Sequence, residues 1–358
     1  MAKIHELCKL MNIKGASDLH LITGSRPILR IHGEIIDQVE HQLLENDELK
    51  NMLYEIIPKN KIAVFEETND IDFAYEVPGL ARYRANFFQQ KLGIGAVIRE
   101  IPSEILTIEQ LDLPRSITKL SMLHEGLVLV TGPTGSGKST TLAAMVDHVN
   151  KNKKSHIITI EDPVEFVHKN QNCIVNHREV GVHTKSFKSA LRAALREDPD
   201  IILVGELRDL ETTELALEAA STGHLVFATL HTQSAAKTID RVINVFPAHQ
   251  QSQIRVTLAE SLKGVVAQKL LKRIDKKGRI AVFDILMMTP AISNLIRESK
   301  TFQIPSAIQT GKKYGMQSLD DAILAALNSK KISSEDAYDK AIVKDRFIQF
   351  LKKPPEFI

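Results

Sequence analysis

The feature that most restricts the possible folds of this chain is the segment Gly132 to Ser139, which reads GPTGSGKS. It satisfies the phosphate-loop pattern G-x-x-x-x-G-K-[ST], and it follows a predicted strand and precedes a predicted helix, as that pattern requires. Its glycines allow backbone N–H groups to curl around a β-phosphate, and the amino-terminal end of the helix favours an anion. The segment therefore predicts a nucleotide site on an α/β sheet.

Consecutive residues of this loop, together with the start of the helix, provide the predicted contacts to ATP and Mg²⁺. Lys138 is expected to reach the β- and γ-phosphates, and Ser139 is expected to ligate Mg²⁺. The other predicted nucleotide contacts are Gly132, Pro133, Thr134, Gly135, Ser136, Gly137 and Thr140.

The sequence around the loop alternates apolar strands with helical stretches. Strands are predicted at 126–130, 157–160, 201–204 and 225–229, with helices that include 186–196 and 211–221. Continuous apolar strands separated by helices indicate a parallel sheet covered on both faces. Beyond Pro290 the strand pattern ends, and helices are predicted at 291–300, 318–328 and 333–344.

The first hundred residues have the pattern of a small α+β unit with two hairpins. The first hairpin turns at His32-Gly33, and the second turns at Pro78-Gly79 between two alternating segments. On the returning strand of the second hairpin, Arg82, Arg84 and Asn86 occupy one face. The arginines are therefore expected to project together, away from the core.

Composition excludes several classes of protein. Apolar residues make up 43% and charged residues 25%, which is typical of globular domains, and the net charge of +2 gives no support to a protein that coats nucleic acid. Cys8 and Cys173 cannot build a four-thiolate zinc site, so a reducing cytoplasm is expected. No apolar run approaches the roughly 20 residues of a spanning helix, and any membrane contact is expected to be peripheral.

Hydrolysis also needs carboxylates near the metal ion and the attacking water. Glu206 ends the third predicted strand and is expected to act on the metal through a bound water. Glu161, Asp162 and Glu165 follow the second strand, where Pro163 should hold the loop out of a helix. One of these three acids is expected to be the general base.

Two histidines flank the fourth predicted strand, His224 before it and His231 after it. They lie too far apart to share a metal ion, so no zinc site is expected. A histidine that emerges where strands end can sense a γ-phosphate. His231 is therefore predicted to act in catalysis and His224 to contact the nucleotide.

Four segments in this order resemble the type II/IV secretion ATPase superfamily. They are the loop 132–140, the acidic box 160–166, the run 195–200 leading to 206–209, and the histidine box 222–232. Three further segments are similar to the retraction ATPases of type IV pilus twitching motility, namely 15–21, 307–311 and 315–320. The resemblance covers nearly the whole chain.

The resemblance implies an α/β fold with a RecA-like P-loop ATPase domain, a PAS-like α+β amino-terminal domain and carboxyl-terminal helices. The implied ranges are 1–101 for the PAS-like domain, 102–125 for a linker marked by Pro102 and Pro114, 126–290 for the ATPase domain and 291–358 for the helical region. It also implies a homo-hexamer, cytoplasmic and peripheral at the inner membrane. The implied partners are the pilus platform protein and a paralogous retraction ATPase, and nucleic acid is not expected.

The resemblance assigns roles to particular residues. Glu165 matches the catalytic base of the acidic box, and Glu206 matches the glutamate of the second nucleotide motif. Arg82, Arg84 and Arg99 match arginines that act on the nucleotide from the amino-terminal domain. Such an arginine increases the rate of phosphoryl transfer by on the order of a thousandfold. The alternative for each arginine is a solvated basic strand face.

The chain departs from the retraction branch at Ser293, where that branch usually has an arginine. Serine cannot supply a cationic fork, so the chain is a divergent member or an auxiliary paralogue, or the contact has moved to Arg297. The lack of four spaced cysteines argues against the assembly and secretion branches, which commonly carry a zinc-binding insertion. The alternative functions are pilus extension or type II secretion, nucleic-acid translocation, and a non-hydrolysing scaffold.

Overall fold

The computed structural model describes residues 3–31, 33–101 and 104–353. These residues form two units. The first contains the chain up to Glu104 together with Pro163–Val167, and the second contains Ile105–Asp162 and the chain from His168 onward. Among the helices of these ranges, we find no segment with the length and hydropathy that crossing a lipid bilayer would require.

The described part of the first unit is an antiparallel sheet of six strands with three helices. The helices are α1 (Lys3–Lys14), α2 (Asn46–Tyr54) and α3 (Lys59–Thr68). The strands are β1 (Asp18–Ile22), β2 (Ile28–Ile31), β3 (Glu34–Asp37), β4 (Asp70–Val77), β5 (Ala81–Gln90) and β6 (Gly93–Ile101). Their order across the sheet is β3-β2-β1-β6-β5-β4, so both predicted hairpins are confirmed. His32, in the first predicted turn, lies outside the described residues.

The alternation predicted for β5 is confirmed by burial. Tyr83, Ala85 and Phe87 are fully buried in the core of the first unit. The ring of Phe87 packs edge-on against that of Phe73, with 5.0 Å between their centroids. Since successive side chains of a strand point to opposite faces, the arginines of β5 occupy the other face of the sheet.

The second unit is built on a sheet of seven strands within the described residues. Its strands are β7 (Gly126–Thr131), β8 (His156–Glu161), β9 (Ile174–Glu179), β10 (Ile201–Val204), β11 (Leu225–Leu230), β12 (Leu262–Lys272) and β13 (Arg279–Met287). The order is β13-β12-β7-β11-β10-β8-β9, and β13 alone runs antiparallel to its neighbour. The four predicted strands are therefore confirmed as neighbours in a parallel sheet.

Helices cover both faces of this sheet. Along β7, Leu127 and Leu129 pack in one buried cluster, whereas Val128 and Val130 pack in another. The helices of the second unit are α4 (Arg115–Ser121), α5 (Lys138–Asn152), α6 (Phe187–Ala194), α7 (Leu210–Ser221), α8 (Ala235–Asn244), α9 (Gln251–Ser261), α10 (Pro290–Arg297), α11 (Ile304–Thr310), α12 (Leu319–Asn328), α13 (Ser334–Lys340) and α14 (Asp345–Ile348). The predicted helices beyond Pro290 are confirmed, with α13 shorter than expected.

The structure differs from the sequence expectation in the range expected to be a linker and in three strands of the second unit. Helix α4 lies inside the range expected to be a linker, and its Ile117 and Leu120 are fully buried in the second unit. Pro102, at the start of that range, lies outside the described residues. Strands β9, β12 and β13 were not predicted. Polar residues make up most of β9, and the buried polar residues Gln268 and Asp284 interrupt the apolar runs of β12 and β13.

A candidate site for nucleotide binding and hydrolysis

The loop of residues 132–137 joins the carboxyl end of β7 to the start of α5. Gly132 has a φ of 145°, and a Cβ atom there would lie only 2.3 Å from the backbone oxygen of Gln268. Gly137 has a φ of 86°, in the left-handed region that side chains disfavour. Glycine is therefore required where the loop begins and where it enters the helix.

Lys138 opens α5 and turns its side chain back onto the loop. Its Nζ atom donates to the backbone oxygens of Gly132, at 2.8 Å, and Pro133, at 3.1 Å. Ser139 and Thr140 follow in the first helical turn and are partly exposed. The structure thus brings an ammonium group, a hydroxyl group and a helix amino terminus together at one loop, which is the arrangement that binds phosphate.

Two observations test whether this loop fits a phosphate group and a hard cation. The Ser136 hydroxyl is buried and has no hydrogen-bond partner among the described residues. The loop also lacks space for a Cβ atom at Gly132 because the chain is folded tightly there. The tightly curved glycine loop suits a triphosphate. The hydroxyl oxygens suit Mg²⁺, which prefers oxygen ligands and is usually bound through one or two carboxylates. The residues fit ATP and Mg²⁺.

The carboxyl ends of the parallel strands bring further residues to the same edge of the sheet. β7 carries the loop, Glu206 follows β10, and His231 follows β11 directly. The Nε2 atom of His231 lies 3.0 Å from Oε1 of Glu206. Arg208 donates from Nε to the other carboxylate oxygen of Glu206 at 2.7 Å. Glu206 and His231 therefore lie together, as their strand positions predict.

A cavity of about 350 Å³ lies beside the phosphate loop within the second unit. Loop residues line one side of it, and Lys269, Arg279 and Lys340 contribute three cationic side chains. Burial lowers the pKa of Lys269, and the charge of Lys340 acts in the same direction. Positive charge at this position favours a polyanionic ligand on the adjacent loop.

The structure does not bring His224 to this edge. His224 precedes β11, and its backbone oxygen accepts from the N–H of Gly126, at the amino end of β7. Its ring Nδ1 lies 3.0 Å from the backbone oxygen of Ala219. Because the six residues of β11 separate the two histidines, His224 lies roughly 20 Å from His231. His224 was expected to contact the nucleotide. This expectation is corrected: His224 lies too far away to contact a nucleotide that is bound to the phosphate loop of the same unit.

The three predicted arginines belong to the first unit, where each has an acidic residue on a neighbouring strand. Arg84 forms a bidentate ion pair with Asp72 on the neighbouring strand. The Nε atom of Arg99 lies 2.7 Å from Oδ1 of Asp18, whose side chain is 5% exposed. Arg82 lies opposite Glu76 in the register of β4 and β5. The partners of Arg84 and Arg99 give these two side chains a structural role within their own unit.

Glu165 is half-buried in the segment Pro163–Val167, which belongs to the first unit, whereas Glu161 ends β8 of the second unit. The choice of Glu165 as general base stays a prediction.

Ser293 donates from Oγ to the backbone oxygen of Ala259 at 3.0 Å. Arg297, one turn later, lies 3.7 Å from Glu260.

Sequence reasoning gave no role to two residues that contact the predicted site. Arg208 stands two positions after Glu206. In an extended segment, side chains two positions apart share one face, so this spacing could have pointed to the contact. Gln268 lies in β12, 3% exposed, and contacts the phosphate loop. A single glutamine in an apolar run carries no recognisable signal, so only the folded chain reveals it.

The sheet order, the loop between β7 and α5, and the acid that follows β10 together define a RecA-like P-loop nucleoside triphosphatase. The chain belongs to the type II/IV secretion system protein family, whose model matches residues 3–335.

Known proteins resemble the chain over nearly its full length. It is 52% identical to the type IV pilus retraction ATPase PilT of Pseudomonas aeruginosa, over 96% of this chain and 99% of that protein. It is 47% identical to a twitching motility protein of Neisseria gonorrhoeae, over 94% of this chain and 90% of that protein. A crystal structure of the pilus retraction motor PilT with bound ADP superposes with a TM-score of 0.88 at 44% identity, covering 97% of this chain and 99% of that one.

Proposed function

We propose that this chain is an ATP-hydrolysing motor that drives type IV pilus retraction and hence twitching motility. The observation that carries the chemistry is the meeting of Lys138, Glu206 and His231 at one edge of a parallel sheet. The similarity to retraction ATPases over nearly the whole chain supports the biological task.

The second unit supplies the groups that bind the nucleotide. Backbone N–H groups of the loop and the Lys138 ammonium hold the β- and γ-phosphates. Ser139 and, through a water, Glu206 would hold Mg²⁺, which supplies charge neutralisation for phosphoryl transfer. His231 contacts one oxygen of the Glu206 carboxylate and Arg208 donates to the other, and together they orient it.

The residues of the first unit complete the proposed reaction. Glu165 accepts a proton from the attacking water, and the water oxygen bonds to the γ-phosphorus as the bond to the ADP oxygen breaks. Arg82, Arg84 and Arg99 offset the charge on the transferring phosphoryl group. We infer that this hydrolysis is coupled to mechanical work.

The proposed assembly is a homo-hexamer at the cytoplasmic face of the inner membrane. Its partner is the pilus platform protein, and a paralogous retraction ATPase is a further partner. Ser293 stands where the retraction branch usually has an arginine, so we infer a divergent or auxiliary motor, or an arginine contact that has moved to Arg297. Light scattering of the purified protein with ATP tests the assembly, because the measured molar mass distinguishes a hexamer from smaller oligomers. We expect the mass of six chains.

The decisive experiment deletes the gene for this chain from its host. The deletion strain then expresses the wild-type protein, the Lys138→Ala variant or the Glu206→Gln variant. We expect the deletion to leave surface pili in excess without twitching, and we expect only the wild type to restore retraction. Loss of all surface pili in the deletion strain would instead identify an extension motor. Strong stimulation of hydrolysis by single-stranded DNA would identify a translocase. Lys138→Ala protein that hydrolyses ATP at the wild-type rate would contradict the site itself.

A further inference from the structure

Gln268 makes two buried hydrogen bonds to the phosphate loop and the helix that follows it. Its Nε2 atom donates to the backbone oxygen of Ser136 at 2.7 Å. Its Oε1 atom accepts from the Thr141 hydroxyl at 2.7 Å. Gln268 is 3% exposed and Thr141 is 1% exposed, so neither bond competes with solvent. One amide side chain therefore ties the end of the loop to the first turns of α5.

The backbone of Gln268 also supports the beginning of the loop. The Cβ position of Gly132 lies 2.3 Å from the Gln268 oxygen, and that of Gly137 lies 2.9 Å from its Nε2 atom. Both ends of the loop thus rest directly on one residue of β12. The loop has no room to move towards this strand.

The hydrogen bond to Ser136 also sets the direction of the N–H group next to it. The carbonyl of Ser136 and the N–H of Gly137 belong to one planar trans peptide, so they point in opposite directions. Because Gln268 holds the carbonyl towards β12, the Gly137 N–H points away from β12. In a phosphate loop, that N–H is one of the groups that surround the β-phosphate.

We propose that Gln268 is a positioning residue for the nucleotide, and that it fixes the loop in its phosphate-binding shape before ATP arrives. The proposal rests on the proposed ATPase function. Preorganised N–H groups bind phosphate without first paying for an ordering of the loop. The amide is required because it alone supplies a donor for Ser136 and an acceptor for Thr141 at the same time.

Two substitutions separate the two halves of the amide. Gln268→Met keeps the length and removes both hydrogen bonds. Gln268→Glu keeps the acceptor for Thr141 but places a carboxylate oxygen against the Ser136 carbonyl, which repels it. Thr141→Val removes only the hydroxyl partner and leaves the bond to the loop. We therefore expect the order of effect on the loop to be Gln268→Glu, then Gln268→Met, then Thr141→Val.

The test measures the Kd of ADP by calorimetry and the KM and kcat of ATP hydrolysis on the full-length chain. We expect Gln268→Met to raise both Kd and KM about tenfold and to change kcat less than threefold. A misplaced loop should weaken binding of the ground state and of the transition state equally, which raises KM but leaves kcat nearly unchanged. Ile292→Val is the control. Ile292 is fully buried in α10, away from the loop, so its substitution lowers stability without changing Kd.

The outcomes distinguish this proposal from the proposed function. Wild-type protein that binds no ADP would overturn both. Wild-type protein that binds ADP, with a folded Gln268→Met variant whose Kd is within twofold of it, would overturn only the role of Gln268. If Gln268→Met does not fold, Gln268→Asn decides, because its uncharged amide is one methylene too short to hold both Ser136 and Thr141: a rise in Kd above twofold supports the proposal, and a Kd within twofold of wild type refutes it.

Discussion

The Nε2 atom of His231 lies 3.0 Å from Oε1 of Glu206, although the two residues are carried by different strands of the sheet. Glu206 follows β10 and His231 follows β11, and these strands pair in parallel. Their carboxyl ends therefore meet at the edge that also carries the phosphate loop. The pair links the predicted metal-site acid to a group that can orient it.

The two histidines that flank β11 should differ sharply when they are replaced. We expect His231→Ala to lower kcat for ATP hydrolysis roughly 10- to 100-fold, because Glu206 loses an orienting contact. His224→Ala is the matched control, and we expect it to stay within about twofold of wild type, since His224 lies at the other end of the strand. Steady-state hydrolysis assays measure both. An equal loss in the two variants would contradict the assignment.

Glu206→Gln should separate nucleotide binding from hydrolysis. Glutamine keeps the size of the side chain but removes its charge, so we expect kcat to fall at least about 100-fold while the Kd of ATP stays within about threefold. Glu211→Gln is the control, because Glu211 pairs with Lys188 on the surface at 3.0 Å. A Glu206→Gln enzyme with wild-type kcat would exclude a catalytic role for this acid.

Arg99 should contribute to the stability of the first unit as well as to the proposed chemistry. Its substitution by glutamine leaves Asp18, 5% exposed, with Arg30 at 3.9 Å and the Ser17 hydroxyl as its remaining partners. We expect a loss of about 1–2 kcal/mol in the free energy of unfolding, measured by urea titration. Arg30→Gln, the more distant partner, should cost less.

The double variant Asp18→Asn with Arg99→Gln separates stability from catalysis. Replacing the buried charge should recover most of the lost stability, because no buried carboxylate is left without its closest cation; Arg30, which loses Asp18, is partly exposed to solvent. If Arg99 also acts on the nucleotide, hydrolysis stays impaired in this double variant. Recovery of both stability and kcat would reduce Arg99 to a structural residue.

The stability of the second unit should depend on pH through His168. Burial lowers the pKa of His168 to about 4, the charge of His177 acts in the same direction, and Asp147 opposes them. Unfolding returns the pKa to about 6.5, so the unfolded chain binds more protons between these two values. We expect this group to contribute about 3 kcal/mol that is fully present above pH 6.5 and is lost as the pH falls towards 4.

The variant His168→Phe should flatten that dependence. Phenylalanine keeps a ring to stack on His177, whose centroid lies 5.8 Å from that of His168, and it cannot be protonated. Denaturation at pH 7 and pH 5 measures the change, with the exposed His249→Gln as the control. The same pH slope in wild type and His168→Phe would show that another group is responsible.

The sequence predicted the local elements well where one short-range pattern dominates. The glycines and the lysine of 132–138 specify a loop between strand and helix, because few other residues tolerate its curvature. The apolar strands and the Pro78-Gly79 hairpin follow from burial periodicity and turn geometry. Strands β9, β12 and β13 were missed, because polar residues break the apolar pattern that marks a strand.

The sequence by itself determined that a phosphate loop stands on a parallel sheet, with acids and histidines near strand ends. The tertiary structure decided which of these residues meet. Parallel pairing of β10 with β11 placed His231 against Glu206 and left His224 at the opposite end. It also placed Gln268 beneath the loop, although 132 residues of sequence separate it from Ser136. Such contacts depend on strand order and register, which no local pattern of residues encodes.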